Sequence, residues 1–158
     1  MASGKNHDRS IIFATPIVLA VGSYQFGLEV GVIAAASHFL CGYWLSPDLD
    51  IKSAPFLRWG VLRVIWLPYQ RFIPHRSPLS HAPVLGSVIR LLYLAVCLLP
   101  VWLTFPGLSQ VQWSGVNWSK AIAFLAGVEL SAWNHLLLDG LLIPLPKGIK
   151  KRLAGTQG

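Results

Sequence analysis

The stretch Ala121-Ile-Ala-Phe-Leu-Ala-Gly-Val-Glu129-Leu-Ser-Ala-Trp-Asn-His135-Leu-Leu-Leu-Asp139-Gly-Leu-Leu-Ile-Pro144-Leu145 decides the fold. A helix needs ~20 apolar residues to cross a bilayer, and this run is long enough. It nevertheless carries His135 and Asp139 at a spacing of four. On a helix that spacing leaves two side chains about 40° apart, on one face. Ionisable groups in an apolar helix are costly, and they face a site or a partner. One segment thus reads as both a membrane-type helix and half of a polar site.

Three further apolar stretches lie upstream, at about Ile11–Val21, Tyr24–Leu45 and Ala82–Phe105. The first is short for a span. Gly22, Ser23 and Gln25–Gly27 read as the reversal between the first two. Pro106-Gly107 breaks the chain after the third, and Pro144 and Pro146 stop the fourth. Between them, Pro55–Phe72 alternates Trp59, Trp66 and Tyr69 with Arg58, Arg63 and Arg71. Aromatics favour headgroup depth and Arg reaches phosphates, so the segment predicts an interfacial helix ended by Pro68. The expected architecture is all-α: one membrane-embedded bundle over residues 1–158, with about four apolar helices and one interfacial amphipathic helix. Residues 147–158 form a basic tail.

Composition agrees. The 158 residues are 54% hydrophobic and only 12% charged, about half the ~25% of a soluble domain. That excludes intrinsic disorder and makes a water-facing domain a poor fit. The 13 Lys and Arg against 6 Asp and Glu give a net charge of +7. These cations are scattered singly among apolar residues, a pattern suited to anionic lipid rather than to a nucleic-acid groove. If all four stretches span, both termini and the 46–82 segment share one side. Nearly all the Lys and Arg fall there, with Arg90 snorkelling back to it, and Lys120 alone at the other face. The positive-inside rule makes that side cytoplasmic. Cys41 and Cys97 lie in apolar stretches without a CxxC partner, and read as buried thiols.

On this topology His7, Asp8, His38, Asp48, Asp50, His75, His81, His135 and Asp139 fall near one interface, leaving out Glu29 and Glu129. His135 and Asp139 make a two-ligand edge for a divalent metal. Pro47-Asp48-Leu49-Asp50 sets two carboxylates on a turn or extended segment, projecting alike if extended. His75-Arg76-Ser77-Pro78-Leu79-Ser80-His81 packs two imidazoles, an Arg and two hydroxyls together. Pro78 keeps its start non-helical, and Ser80 is placed to cap the third apolar helix. The candidate ligands are His7, His38, Asp48, Asp50, His75, His81, His135 and Asp139. Imidazole with carboxylate suits zinc first, with manganese or iron as alternatives. Eight candidates exceed the ligands of one zinc, so either two ions bind or some residues act from behind the ligands. Metal-activated water would suit phosphoester hydrolysis, with Asp50 or His81 as base and Arg76 holding a phosphate.

Ser3-Gly-Lys-Asn-His7-Asp8-Arg9, Ser37-His38, Pro47-Asp48-Leu49-Asp50, Trp59-Gly-Val-Leu-Arg63-Val-Ile-Trp66-Leu-Pro68-Tyr69 and His75-Arg76…Ser80-His81 together resemble a family of small, uncharacterised metal-binding membrane proteins. The pattern covers residues 3–81 closely and thins until His135…Asp139. The His…Pro-Asp-x-Asp and His-Arg…Ser-His elements are also similar to bacterial membrane-bound metal-dependent hydrolases, and more loosely to the all-helical zinc-dependent phospholipase C and nuclease superfamily. Those hydrolases carry His-Arg-Gly-x-Thr-His, where this chain has Ser77 at the Gly position and one extra residue. The resemblance implies a metal site built from His38, Asp48, Asp50, His75, His81, His135 and Asp139, with His7 from the first element. It also implies a multi-pass protein of the bacterial inner membrane. Two functions follow as expectations: a metal-dependent hydrolase at the cytoplasmic interface, or a non-catalytic sensor or scaffold with a structural metal. Ion transport fits less well, because the other half of the membrane has only Glu29, Glu129 and Lys120.

Overall fold

A computed structural model describes residues 4–105 and 115–140. Every element among them is helical: α1 (Gly4–Phe26), α2 (Leu28–Trp44), a 3-10 turn (Pro47–Asp50), α3 (Ala54–Arg58), a second 3-10 turn (Gly60–Ile65), α4 (Trp66–Phe72), α5 (Pro78–His81), α6 (Leu85–Thr104) and α7 (Trp118–Asp139). The expected all-α bundle is what the chain forms.

α1 and α2 make an antiparallel hairpin. The reversal is one residue, Gly27, at φ +89°, a conformation that glycine adopts without the penalty a Cβ brings. Gly22 and Ser23, expected in the turn, are helical instead and pack on Gly31 of α2. Further along the hairpin, Ile11 packs against Gly42, and Thr15 Oγ1 meets His38 Nδ1 at 2.9 Å. α7 packs on the same helix, α2, running parallel to it: Lys120, near the start of α7, is ion-paired with Glu29, near the start of α2. Ser10 of α1 donates to Asn134 of α7 and closes the three-helix contact. α7 ends at Gly140, which takes φ +66° and donates its N–H to the Leu137 carbonyl at 3.0 Å. The helix therefore stops before Pro144 and Pro146, which, with Pro106-Gly107 and the 147–158 tail, lie outside the described residues.

Three regions are long and apolar enough to cross a membrane: Leu28–Asp50, Leu85–Thr104 and Trp118–Asp139. α1 falls short of that composition, because Lys5, Asp8 and Arg9 occupy its first turns, yet it lies antiparallel along α2. Its outward residues are still apolar: Phe13 is 74% and Phe26 72% exposed.

Pro55–Phe72 departs most from expectation. It is three short pieces, not one helix, and Pro68 lies in the first turn of α4, where its missing N–H costs nothing. Two of its aromatic residues turn fully inward. Trp66 and Tyr69 are 0% and 1% exposed, and they form the core cluster with Leu49 and Phe56. Tyr93 of α6 joins edge-to-face with Tyr69 at 5.1 Å and donates its hydroxyl to the Ile65 carbonyl. What faces outward is apolar and basic: Val61, Leu62, Val64, Leu67 and Phe72, with Arg63 and Arg71. The core thus fastens the 46–82 segment to α6 and fixes both loops that carry the polar cluster.

Candidate metal centre

Four elements meet at one end of the bundle. α1 brings His7 from its first turns, and the 3-10 turn after α2 brings Asp48 and Asp50. The loop into α5 brings His75, Arg76 and His81, and the last turns of α7 bring His135 and Asp139. Local sequence explains each placement. Ser46 caps the Pro47–Asp50 turn, its Oγ accepting the Asp48 N–H at 3.5 Å. With three residues per turn, carboxylates two apart point different ways. They were expected to project alike only from an extended segment; the turn sends them to different partners.

Asp48 Oδ1 lies 3.4 Å from His135 Nε2 and 3.6 Å from His81 Nε2. Asp139 Oδ2 is 3.7 Å from His135 Nε2, and Asp139 Oδ1 is 3.3 Å from His7 Nε2. The His7 ring stacks on His135 at 4.0 Å. Asp48, His81, His135 and Asp139 bring ligand atoms within 4.8 Å of one another. On the far side of His81, Asp50 Oδ1 is 2.8 Å from His75 Nδ1 and Asp50 Oδ2 is 3.4 Å from His81 Nδ1. Asp50, His75 and His81 form a second group of three.

The donor set fits a divalent cation. Asp48 Oδ1, His81 Nε2 and His135 Nε2 are buried and none has a hydrogen-bond partner. Buried polar atoms of this kind are ordinarily satisfied. Their mutual distances of 3.4 and 3.6 Å match the edge of a tetrahedron built on bonds of ~2.1 Å, about 3.4 Å. Both rings are also held from behind: His135 Nδ1 lies 3.3 Å from Ser46 Oγ, and His81 Nδ1 lies 2.8 Å from Ser80 Oγ. Such contacts fix which ring nitrogen faces a metal.

Burial alone would lower the His81 pKa, but the adjacent carboxylates of Asp48 and Asp50 outweigh it and hold the ring up to about 9. The sign follows. A folded-state pKa above the unfolded value of 6.5 stabilises the metal-free fold fully below about 6.5, and that contribution disappears as pH rises through about 9. A cation taking Nε2 displaces this proton. Cation affinity is therefore expected to rise about tenfold per pH unit between ~pH 7 and 9, with proton release measurable by calorimetry in two buffers.

Of the eight candidate ligands, the structure brings seven together. His38 stands apart. It lies on α2, 1% exposed, with Nδ1 on Thr15 Oγ1. Arg76 sits at the rim, 38% exposed at its side chain, with Nη2 3.8 Å from Asp139 Oδ2. Its φ of +62° is unusual for a non-glycine residue. Asp8 pairs with Arg58 instead of the cluster. Two other expectations fail. Arg90 does not snorkel: it is 3% exposed and donates to the Ser80 carbonyl at 3.1 Å and Ser87 Oγ at 3.3 Å. Ser80 does not cap α6; it supports His81, while residues 75–77 ahead of Pro78 are non-helical as expected and Pro78 opens the single turn of α5.

The sequence of the family described as "Uncharacterized metal-binding protein (DUF2227)" matches residues 2–147. The chain belongs to that family. Its match covers every residue of both His and Asp groups. An uncharacterized protein of Aquifex aeolicus (strain VF5) is 41% identical over 58 residues, which is 36% of this chain and 40% of that protein. The chain thus aligns with well under two thirds of that relative's length. No solved structure matches the chain. Sequence reading missed Ser46, whose Oγ backs His135 Nδ1. Its signal was the Ser-Pro-Asp order, which marks a capped turn start rather than a partner for a distant histidine.

Proposed function

We propose that this family member is an integral membrane protein that binds a divalent cation, zinc first, through Asp48, His81, His135 and Asp139, with His7 alongside. The observation that carries the reading is the set of three buried acceptors, Asp48 Oδ1, His81 Nε2 and His135 Nε2, facing one another without hydrogen bonds. Residues 1–158 act as one domain, with the centre and both termini on the cytoplasmic side of a bacterial inner membrane.

The chemistry that fits best is hydrolysis of a phosphoester or other ester at the lipid interface. A bound divalent cation supplies water of lowered pKa. The chain's part is to hold that centre, with Arg76 offering a planar donor fork to a phosphate at the rim. Asp48 supports this. Its side chain is 20% exposed, against 3% for Asp139, so the centre opens on the Asp48 side. His81 serves as a ligand in this reading, not as the base. The second reading is a non-catalytic sensor or scaffold, favoured by ligands drawn from elements far apart in the chain.

The experiment is metal analysis of detergent-purified protein before and after chelation, paired with a phosphodiester assay. One or more tightly held cations, and activity lost on chelation and restored by zinc or manganese, are expected. Metal without activity would favour the scaffold. Absence of metal under all loading conditions would defeat both.

A further inference from the structure

Eight candidate ligands leave open whether the cluster holds two cations or one. The second group, Asp50, His75 and His81, decides it. Asp50 is 3% exposed, its side chain 0%. Both of its oxygens point at ring nitrogens: Oδ1 at His75 Nδ1, 2.8 Å away, and Oδ2 at His81 Nδ1, 3.4 Å away. Oδ1 is engaged by His75, whereas Oδ2 lies near His81 without a hydrogen bond. His81 Nδ1 is also 2.8 Å from Ser80 Oγ, and that hydroxyl is within 3.2 Å of the Ser77 carbonyl, its own acceptor. The hydroxyl proton is therefore spent on a carbonyl, which leaves His81 Nδ1 as the donor and Nε2 as the lone pair. Two cations sharing His81 would require an imidazole stripped of both protons. Apart from His81 Nε2, two atoms of the second group have no hydrogen-bond partner, Asp50 Oδ2 and His75 Nε2; without His81 these two residues fall short of the three protein ligands that a zinc takes.

We infer that the centre is mononuclear and that Asp50 is a positioning residue, holding His75 through Nδ1 and setting a carboxylate behind His81, whose Nδ1 is kept by Ser80 Oγ so that it presents Nε2 to the cation. Arg90 braces the same turn through the Ser80 carbonyl, 3.1 Å away. The arrangement follows a general rule of metal sites, in which a carboxylate behind a ligand histidine fixes its tautomer and raises its basicity. The inference rests on the proposed cation site but fails separately from it.

The test loads the full-length, detergent-purified protein with Zn²⁺ or Co²⁺. Stoichiometry is read by elemental analysis, affinity by chelator competition, and ligand geometry by Co²⁺ visible absorption. The wild type is expected to hold one cation per chain. Asp50→Asn should still hold one, about 10- to 100-fold more weakly, with the Co²⁺ bands retained. His75→Ala should hold one with affinity within a few fold of wild type, a second variant in case Asp50→Asn does not fold. Two cations in the wild type, falling to one in Asp50→Asn or His75→Ala, would overturn the inference and leave the cation site standing. None in the wild type would overturn the cation site itself.

Discussion

Asp48→Ala is expected to empty the centre. It removes the oxygen that lies between two buried imidazole nitrogens, 3.4 Å from His135 Nε2 and 3.6 Å from His81 Nε2. Losing a residue behind a ligand typically weakens metal binding 10- to 100-fold. Loss of a shared ligand should therefore exceed ~100-fold and leave no cation after dialysis. The same change should abolish any rise in melting temperature on adding cation, a rise that corresponds to ~2.7 kcal/mol at a hundredfold excess over Kd. Glu29→Ala is the control. It breaks an ion pair with Lys120 at the opposite end of the bundle, and should leave cation content unchanged. If Asp48→Ala bound as the wild type does, the four-residue centre would be the wrong site.

Gly127→Val is expected to be the most damaging change away from the centre. A Cβ at Gly127 would fall 2.2 Å from the Ala34 carbonyl oxygen and 2.0 Å from Ser37 Oγ. The hydroxyl could rotate away, but the backbone carbonyl of α2 cannot. The two helices would have to part, and membrane-type interfaces rely on this kind of small-residue approach. Overpacking ordinarily costs 1–3 kcal/mol, and a clash with fixed backbone should reach roughly 3 kcal/mol or more. Because α2 leads into Asp48 and α7 carries His135 and Asp139, cation affinity should fall together with thermal stability. Unchanged melting and binding in Gly127→Val would mean that α2 and α7 do not approach as described.

Apolar length and charge scarcity made the helices readable, and most of the cluster with them. Depth along an apolar helix is nearly as visible in sequence as it is in space, so His135, Asp139 and the two loops were placed correctly at one end. Depth does not say which way a side chain points. His38 lies ten residues from Asp48 along the chain, and it meets Thr15 instead. The aromatic and Arg alternation of Pro55–Phe72 misled for a related reason. An aromatic stripe reads the same whether it faces headgroups or a core, and here Trp66 and Tyr69 form the core. Arg90 was misjudged because snorkelling is the general habit of a lone cation near a helix end. A nearby carbonyl that needs a donor, as Ser80 supplies, cannot be seen in one sequence. Serine carries no charge or hydropathy signal, so Ser46 and Ser80 were legible only as local caps.

The pairing of His7 with Asp139 across 3.3 Å joins the first turns of α1 to the last turn of α7. In a chain made and inserted from its N-terminus, the histidine waits through the synthesis of every intervening helix before its carboxylate partner exists. The centre is then a clasp fastened last. A cation captured there would record that α1, α2 and α7 have packed in register, and a chain stopped short of α7 lacks His135 and Asp139 to hold it with.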